Sequence, residues 1–202
     1  MTGSSQDARV IVVGDTQVGK TTLINRFVDK AFTPASTSTV TPVFSPSTII
    51  TSSGSKVSMQ LWDTAGQERY QSIGQVFYRN SNFAVICFNS TDSKPQDSIN
   101  NWRTRILAVE PKCSLFLAST KFDLVPQSKQ MDVLEKGQQI KEEIGALGFF
   151  ATSAMTGDGI EPLFSMIGEE WEKMMNSNKQ EVIPKTKLDG NNEQKKTEKK
   201  CC

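Results

Sequence analysis

Short, almost continuous runs of apolar residues alternate along this chain with segments in which apolar residues recur every three or four positions. The continuous runs predict strands, most of them buried on both faces. They are RVIVVG (9–14), FAVICFN (83–89), SLFLAS (114–119) and, as a short last strand, FFATSA (149–154). The segments with helical spacing predict amphipathic helices, which are 21–30, 99–109, 131–144 and 160–174.

The stretch 46–63 has a different pattern, because its second half alternates Val57, Met59 and Leu61 with polar residues and Gly54 separates the halves. This pattern predicts two strands joined by a turn. The alternation of strands and helices elsewhere favours a parallel sheet covered on both faces. We therefore expect an α/β fold, with a mostly parallel six-stranded sheet, one antiparallel edge strand and helices on both faces.

The composition changes after about Met175. The segment NSNKQEVIPKTKLDGNNEQKKTEKKCC is rich in lysine and almost free of large apolar residues. Such a segment buries too little apolar surface to offset the entropy that ordering costs. We expect one folded domain over residues 8–176 and a disordered basic tail over residues 177–202.

The charge and composition of the chain argue against several classes of function. Its 202 residues carry a formal net charge of +1, which gives no bulk attraction for nucleic acid. The sequence has no histidine, so it lacks the commonest general base and zinc ligand. No segment resembles a signal peptide or approaches the ~20 apolar residues of a membrane span. We expect a cytosolic protein that does not bind nucleic acid.

The sequence GDTQVGKT (14–21) is the first motif that carries chemistry. It matches the pattern G-x-x-x-x-G-K-[S/T], with a predicted strand before it and a predicted helix after it. The glycines let main-chain N–H groups encircle phosphate oxygens, and the helix adds the positive end of its dipole. The lysine reaches the β- and γ-phosphates, and the hydroxyl binds Mg²⁺. This motif therefore predicts a nucleotide site in a P-loop NTPase fold.

The segment WDTAGQE (62–68) narrows the class of nucleotide-binding protein. Together with the phosphate loop it resembles the Ras-like small GTPases, over about residues 8–175. The longer stretch MQLWDTAGQERYQSIGQVFYRNS (59–81) and the two terminal cysteines are similar to those of the Rab family. The resemblance implies a G domain that switches between GTP and GDP, hydrolyses GTP slowly and regulates vesicle-mediated membrane traffic.

The resemblance also implies roles in metal binding and hydrolysis. The residues expected to bind Mg²⁺, directly or through water, are Thr21, Thr39 and Asp63. In catalysis, Lys20 is expected to reach the phosphates and Gln67 to orient the attacking water, while Gly66 donates its main-chain N–H to the γ-phosphate. Because no arginine in the chain is evident for stabilising the transition state, an activating protein is expected to supply one.

Contacts with the rest of the nucleotide are implied in the same way. The phosphate-loop residues expected to touch it are Asp15, Thr16, Gln17, Val18, Gly19, Lys20, Thr21 and Thr22. TKFD (120–123) resembles the Asn-Lys-x-Asp motif, in which Lys121 covers the base and Asp123 accepts hydrogen bonds from guanine N1 and N2. Adenine offers no such pair of donors, so this carboxylate selects guanine.

TSAM (152–155) resembles the Ser-Ala-Lys motif of the same family. The Ala154 N–H is expected to meet guanine O6, with Ser153 beside it. Met155 replaces the lysine and keeps an apolar stem over the ring. Phe32 aligns with an aromatic residue that packs against guanine. The ligands implied are GTP and GDP, with Mg²⁺ as cofactor.

Several positions depart from the family pattern. In the first switch, Thr41, Pro42 and Val43 replace the usual residues, and Pro42 lacks an N–H and restricts the residue before it to extended conformations. In the phosphate loop, Gln17 carries a side chain that is expected to crowd the γ-phosphate. Thr120 replaces the motif's asparagine and is expected to loosen the tie between its loop and the phosphate loop.

Three aromatic residues, Phe44, Trp62 and Phe77, align with those that Rabs use between the switches as a partner-binding surface. The partners implied are effector proteins, an exchange factor, a GTPase-activating protein, and a GDP-dissociation inhibitor or escort protein. We expect the protein itself to be a monomer. Trp102 and Trp171 lie on apolar helix faces and are expected in the core.

The four cysteines fall into two pairs. Cys87 and Cys113 lie in apolar segments and are expected to be buried. Cys201 and Cys202 follow a lysine-rich segment and resemble the dual geranylgeranylation signal of Rabs. Two lipid chains anchor a protein stably, and nearby lysines add attraction to anionic lipids. We expect a lipid-anchored protein on the cytoplasmic face of endomembranes, with a cytosolic pool.

The sequence is also compatible with other classes of protein. Gln17, Thr41, Pro42 and Thr120 also fit a hydrolysis-deficient, nucleotide-binding scaffold on the same fold. TKFD fits the Rho branch of the superfamily, although the charged insertion of that branch is missing from the sequence. A P-loop ATPase or kinase is opposed by Asp123 and by the Ser-Ala pair.

Overall fold

The computed structural model describes residues 7–32, 43–64 and 77–181, except for the side chains of residues 178–181. The strands in these ranges are β1 (Ala8–Gly14), β2 (Val43–Ile50), β3 (Lys56–Asp63), β4 (Phe83–Asn89), β5 (Ser114–Thr120) and β6 (Gly148–Ala151). The helices are α1 (Lys20–Asp29), α2 (Gln96–Val109), α3 (Gln127–Ile144) and α4 (Ile160–Glu181), with a 3₁₀ turn at Phe122–Leu124. The predicted order of strands and helices is confirmed.

The strands form a six-stranded sheet in the order β2-β3-β1-β4-β5-β6. Strand β2 pairs antiparallel with β3, and every other neighbouring pair is parallel. The turn between β2 and β3 is closed by the Gly54 N–H, which donates to the Thr51 carbonyl oxygen at 2.9 Å. The predicted parallel sheet with one antiparallel edge strand is therefore confirmed.

Successive residues of the central strands point to opposite faces of the sheet. Val10 and Val12 of β1 pack into a core with side chains of α1 and α4. Ile11 and Val13 of the same strand pack into a second core with side chains of α2 and α3. None of these four side chains is exposed to solvent. Helices therefore cover both faces of the sheet, as the apolar runs predict.

Element boundaries differ from the sequence pattern in a few places. Helix α3 begins at Gln127, before its first apolar position, because a helix can start with polar residues on its solvent side. Strand β2 continues through Pro46, which an edge strand tolerates since its outer N–H groups have no neighbour. Helix α4 runs to Glu181, past the predicted domain boundary at residue 176. Residues 182–202, with Cys201 and Cys202, lie outside the described ranges.

The helices in the described part of the chain are each too short or too polar to cross a membrane. Trp102 and Trp171 are buried as predicted, with 6% and 8% of their surface exposed. Cys87 and Cys113 are also buried as predicted, and their thiols are free.

Burial raises the pKa of both the Cys87 and the Cys113 thiols to about 12. Because an unfolded thiol has a pKa near 9, ionisation favours the unfolded chain between about pH 9 and pH 12. We expect the free energy of unfolding to fall across this window, by up to about 1.4 kcal/mol per pH unit for each thiol. Urea unfolding at a series of pH values, with Cys201 and Cys202 replaced by serine, measures this loss.

The matched control for this pH dependence is the same chain with Cys113→Ala. Its unfolding free energy is expected to fall less steeply above pH 9, because one buried thiol is gone. Identical slopes for the two proteins would contradict the assignment of the loss to this thiol.

Candidate functional site

The predicted site residues come together at the carboxyl edge of the sheet. Gly14 ends β1, Asp63 ends β3 and Thr120 ends β5, while Ser153 comes shortly after β6. These four strands are parallel, so their carboxyl ends lie on the same side. In sheets of this kind ligands bind outside the carboxyl ends of the strands.

The phosphate loop has a backbone that requires glycine at both ends. Gly14 has a φ of 143°, and a Cβ atom there would lie 2.3 Å from the Cys87 carbonyl oxygen. Gly19 has a φ of 104° and precedes α1, which begins without a side-chain cap at its N-terminus. The first N–H groups of a helix have no partner within the helix and attract anions. The loop and the start of α1 therefore present main-chain N–H groups and a positive helix end that suit an anion such as phosphate.

Lys20 lies within this loop and is only 6% exposed. Its Nζ donates hydrogen bonds to the carbonyl oxygens of Gly14 and Asp15, both at 2.8 Å. Burial lowers the pKa of Lys20, and the nearby acidic groups of Cys87, Asp63 and Asp15 oppose that shift. A cation on neutral carbonyls can exchange them for phosphate oxygens, which make stronger charge-assisted hydrogen bonds.

Thr21 and Asp63 meet beside the loop. The Thr21 hydroxyl donates to Asp63 Oδ2 at 2.6 Å, and Asp63 is 3% exposed. Mg²⁺ prefers oxygen ligands of these kinds and usually completes its shell with water and substrate phosphates. Within residues 7–32, 43–64 and 77–181, no three His, Cys, Asp or Glu side chains group as a metal site. The donor set thus fits Mg²⁺ held jointly by protein and phosphate; Thr39 lies outside the described residues.

The two predicted guanine-binding motifs contact each other and the phosphate loop. The Ser153 hydroxyl donates to Asp123 Oδ1 at 2.6 Å, which orients the carboxylate. Lys121 donates from Nζ to the Gln17 carbonyl oxygen at 2.8 Å, so its stem extends along the phosphate loop. The Phe122 N–H donates to the Thr152 carbonyl oxygen at 3.0 Å. These bonds bring the three predicted motifs into one site.

Thr120, which replaces the motif's asparagine, contacts the phosphate loop directly. The Thr120 hydroxyl lies within hydrogen-bond distance of the Val18 carbonyl oxygen, and 3.0 Å from the Phe88 carbonyl oxygen. The residue is buried at the end of β5, close to Gly19 of the phosphate loop. A short hydroxyl reaches the loop because the strand ends beside it, so the tie between the two loops is kept without asparagine.

The remaining predicted nucleotide contacts surround these groups. Val18 is buried, Thr22 and Ala154 are half-buried, and the exposed ones are Asp15, Thr16, Gln17, Phe32 and Met155. Gln17 has a φ of 63°, a left-handed conformation that costs a residue with a side chain about 1 kcal/mol. Gly66 and Gln67, like Thr41 and Pro42, lie outside the described residues.

The three predicted partner-surface aromatics form a continuous row. The ring centroids of Phe44 and Trp62 lie 5.3 Å apart, and those of Trp62 and Phe77 lie 5.8 Å apart. Phe44 is 46% exposed, while Trp62 and Phe77 are half-buried against the core. The Arg9 guanidinium lies over the Trp62 ring at 4.4 Å and donates to the Phe77 carbonyl oxygen at 3.2 Å. This row therefore has an exposed end and an anchored end.

Sequence reasoning missed several residues that hold the loops. Trp102 was predicted only as a core residue, yet its indole Nε1 donates a hydrogen bond to Asp15 Oδ1 at 2.8 Å. The Ser98 hydroxyl donates to the other carboxylate oxygen, Asp15 Oδ2, at 2.5 Å. Arg26 of α1 donates to the Thr156 carbonyl oxygen at 3.3 Å, which ties α1 to the loop after β6. The available signal was the i, i+4 spacing of Ser98 and Trp102, which places a hydroxyl and an indole N–H on one helix face.

A glycine-bounded loop that buries a lysine, a hydroxyl–carboxylate pair next to it and the predicted guanine-binding motifs beside the loop are the features of a P-loop nucleotide-binding protein. The model of the Ras family matches residues 9–173 of the chain.

Several similar proteins carry the name Rab. Ras-related protein Rab-4 of Dictyostelium discoideum is 36% identical over 157 residues, covering 77% of this chain and 75% of that protein. Ypt/Rab-type GTPase ypt7 of Pyricularia oryzae is 34% identical over 164 residues and 79% of each chain. Ras-related protein Rab-24 of Dictyostelium discoideum is 28% identical over 204 residues and the whole of each chain. The chain belongs to the Ras family, within its Rab group, and is a small GTPase of membrane traffic.

Proposed function

We propose that this chain is a switch that binds GTP and GDP with Mg²⁺ at the carboxyl edge of its sheet and exchanges protein partners with the state of the γ-phosphate. The observation that carries the proposal is the Thr21–Asp63 hydrogen bond of 2.6 Å beside a loop that buries Lys20. A buried cation, two side-chain oxygens and the N-terminus of α1 lie next to one another there, which supports a site for a triphosphate. A triphosphate bound there would touch both the phosphate loop and the end of β3.

Each residue of the site would have its own role in GTP hydrolysis. Lys20 would exchange its carbonyl partners for β- and γ-phosphate oxygens, and the Gly66 N–H would meet the γ-phosphate. Bound Mg²⁺ supplies charge that offsets the phosphates, and Thr21, Thr39 and Asp63 would hold it. Gln67 would orient the attacking water. Positioning and charge stabilisation dominate this reaction, so turnover is slow until an activating protein adds an arginine.

Thr21→Asn should weaken binding of Mg²⁺·GTP at least about tenfold, because the change removes the hydroxyl ligand and adds a larger amide beside Asp63. Titration of a fluorescent GTP analogue with Mg²⁺ present measures the affinity. Repeating the titration in EDTA is the internal control, since the two proteins should then differ much less. An equal loss with and without Mg²⁺ would assign Thr21 a purely steric role.

Gln67→Leu tests the catalytic assignment. We expect GTP hydrolysis in the presence of an activating protein to slow by about 10²-fold or more, because water is no longer oriented. GTP affinity should stay unchanged, which a binding titration of the same variant checks. Single-turnover hydrolysis at the wild-type rate would remove Gln67 from the mechanism and favour another means of orienting water.

The protein would also bind other proteins and attach to a membrane. Effectors would bind the row formed by Phe44, Trp62 and Phe77 when the γ-phosphate is present. Geranylgeranyl groups on Cys201 and Cys202 would anchor the protein to the cytoplasmic face of endomembranes, where it would direct vesicle traffic. A dissociation inhibitor or escort protein would maintain the cytosolic pool, and an exchange factor would load GTP.

A further inference from the structure

We propose that Trp102 and Ser98 of α2 are positioning residues that hold the phosphate loop in its nucleotide-binding shape by fixing the Asp15 carboxylate. The inference rests on the nucleotide binding proposed above and assigns a role to residues outside the predicted binding set.

Asp15 accepts hydrogen bonds through both its side chain and its main chain. Its carboxylate accepts the Trp102 indole N–H at 2.8 Å on Oδ1 and the Ser98 hydroxyl at 2.5 Å on Oδ2. Its main-chain carbonyl oxygen accepts Lys20 Nζ at 2.8 Å. Each carboxylate oxygen therefore has its own donor from α2, while the peptide group next to it contacts the lysine of the loop.

The two donors, Ser98 and Trp102, belong to helix α2, which packs against the sheet. Ser98 and Trp102 are four residues apart in α2, so they share one face of the helix. The Trp102 ring is 6% exposed and packs in the core between α2 and the sheet. Ser98 lies in the first turn of the helix, where the positive end of the helix dipole also favours a carboxylate. These two hydrogen bonds, which we call the clamp, therefore fix the start of the phosphate loop relative to α2.

The charge of Asp15 makes this anchoring relevant to nucleotide binding. The residue directly follows Gly14, at the start of a loop that receives phosphates, and a carboxylate free to rotate toward them would repel them. Held by α2, the carboxylate is directed to the helix and its charge is offset by two donors. Asp15 is itself exposed, so we expect a moderate effect when the clamp is removed.

The test is a double-mutant cycle on nucleotide release by the full-length protein. We expect Trp102→Phe, which keeps an aromatic ring and removes the N–H, to speed release of fluorescent GDP about fivefold. Ser98→Ala, outside the core, should speed it about twofold. In an Asp15→Ala chain the Trp102→Phe change should have almost no further effect, because the acceptor is gone.

Thr104→Ala is the matched control, since Thr104 lies exposed on the same helix and its hydroxyl donates to the Asn100 carbonyl oxygen of that helix. Its release rate should equal that of the wild type. If Trp102→Phe speeds GDP release equally with and without Asp15, the indole acts through packing and the inference is wrong. The inference is also wrong if neither Trp102→Phe nor Ser98→Ala changes the rate of GDP release. A wild-type chain that binds no guanine nucleotide would instead overturn the proposed function, and this inference with it.

Discussion

Replacing Lys20 by methionine should lower the affinity for GTP by about 10²- to 10⁴-fold, because two charge-assisted hydrogen bonds to phosphate are lost at about 1.5–3 kcal/mol each. Methionine has a similar length and fits a site that is only 6% exposed. The change also removes the donor to the Gly14 and Asp15 carbonyl oxygens. Equilibrium titration with a fluorescent GTP analogue measures the loss.

Lys30→Met is the matched control for this experiment. Lys30 follows α1 at its other end, its side chain is 66% exposed, and it pairs with Glu161 rather than with the phosphate loop. We expect its affinity for GTP to match that of the wild type. A Lys20→Met protein that melts normally and still binds GTP with wild-type affinity would show that Lys20 is not a phosphate ligand.

Asp123→Asn should lower the affinity for GTP by a similar factor of about 10²- to 10⁴-fold, because guanine N1–H and the amino group at C2 lose a carboxylate acceptor. The asparagine amide can instead accept from N1–H and donate to a carbonyl at C2, which xanthine carries in place of the amino group. We therefore expect the variant to bind xanthosine triphosphate better than GTP. Competition between the two nucleotides on the same protein measures this reversal.

The reversal distinguishes recognition of the base from damage to the fold, since a misfolded protein would bind neither nucleotide. Asp132→Asn, at an exposed position of α3, is the matched control and should keep the wild-type preference for GTP. A variant at Asp123 that still prefers GTP would mean that this carboxylate does not face the base, although Ser153 orients it at 2.6 Å.

Much of the fold could be predicted because its strands are strongly patterned. The run FAVICFN is buried along almost its whole length as β4, and Val57, Met59 and Leu61 alternate in β3 as the sequence indicates. The start of α3 could not be predicted, because Gln127 and its neighbours are exposed and carry no apolar signal. Boundaries set by hydrogen bonding alone leave little trace in a pattern of burial.

The candidate site was predictable where residues act through local motifs. Lys20 and Thr21 follow from the spacing of one loop, whereas the contact of Trp102 with Asp15 joins residues far apart in the chain. Its N–H is a small polar part of a side chain that is otherwise a core hydrophobe, so a pattern of apolar positions cannot show it. The contact of Thr120 with Val18 was missed for a related reason, since the reach of its hydroxyl depends on where β5 ends beside Val18.

The most direct test of the central claim is a competition experiment on the purified wild-type protein. Fluorescent GDP is bound first, and unlabelled GTP or ATP is added with and without Mg²⁺. We predict that GTP displaces the label with an affinity that Mg²⁺ increases, while ATP in hundredfold excess displaces almost none. Equal displacement by the two nucleotides, or no dependence on Mg²⁺, would contradict a guanine-specific switch built on Lys20, Thr21, Asp63 and Asp123.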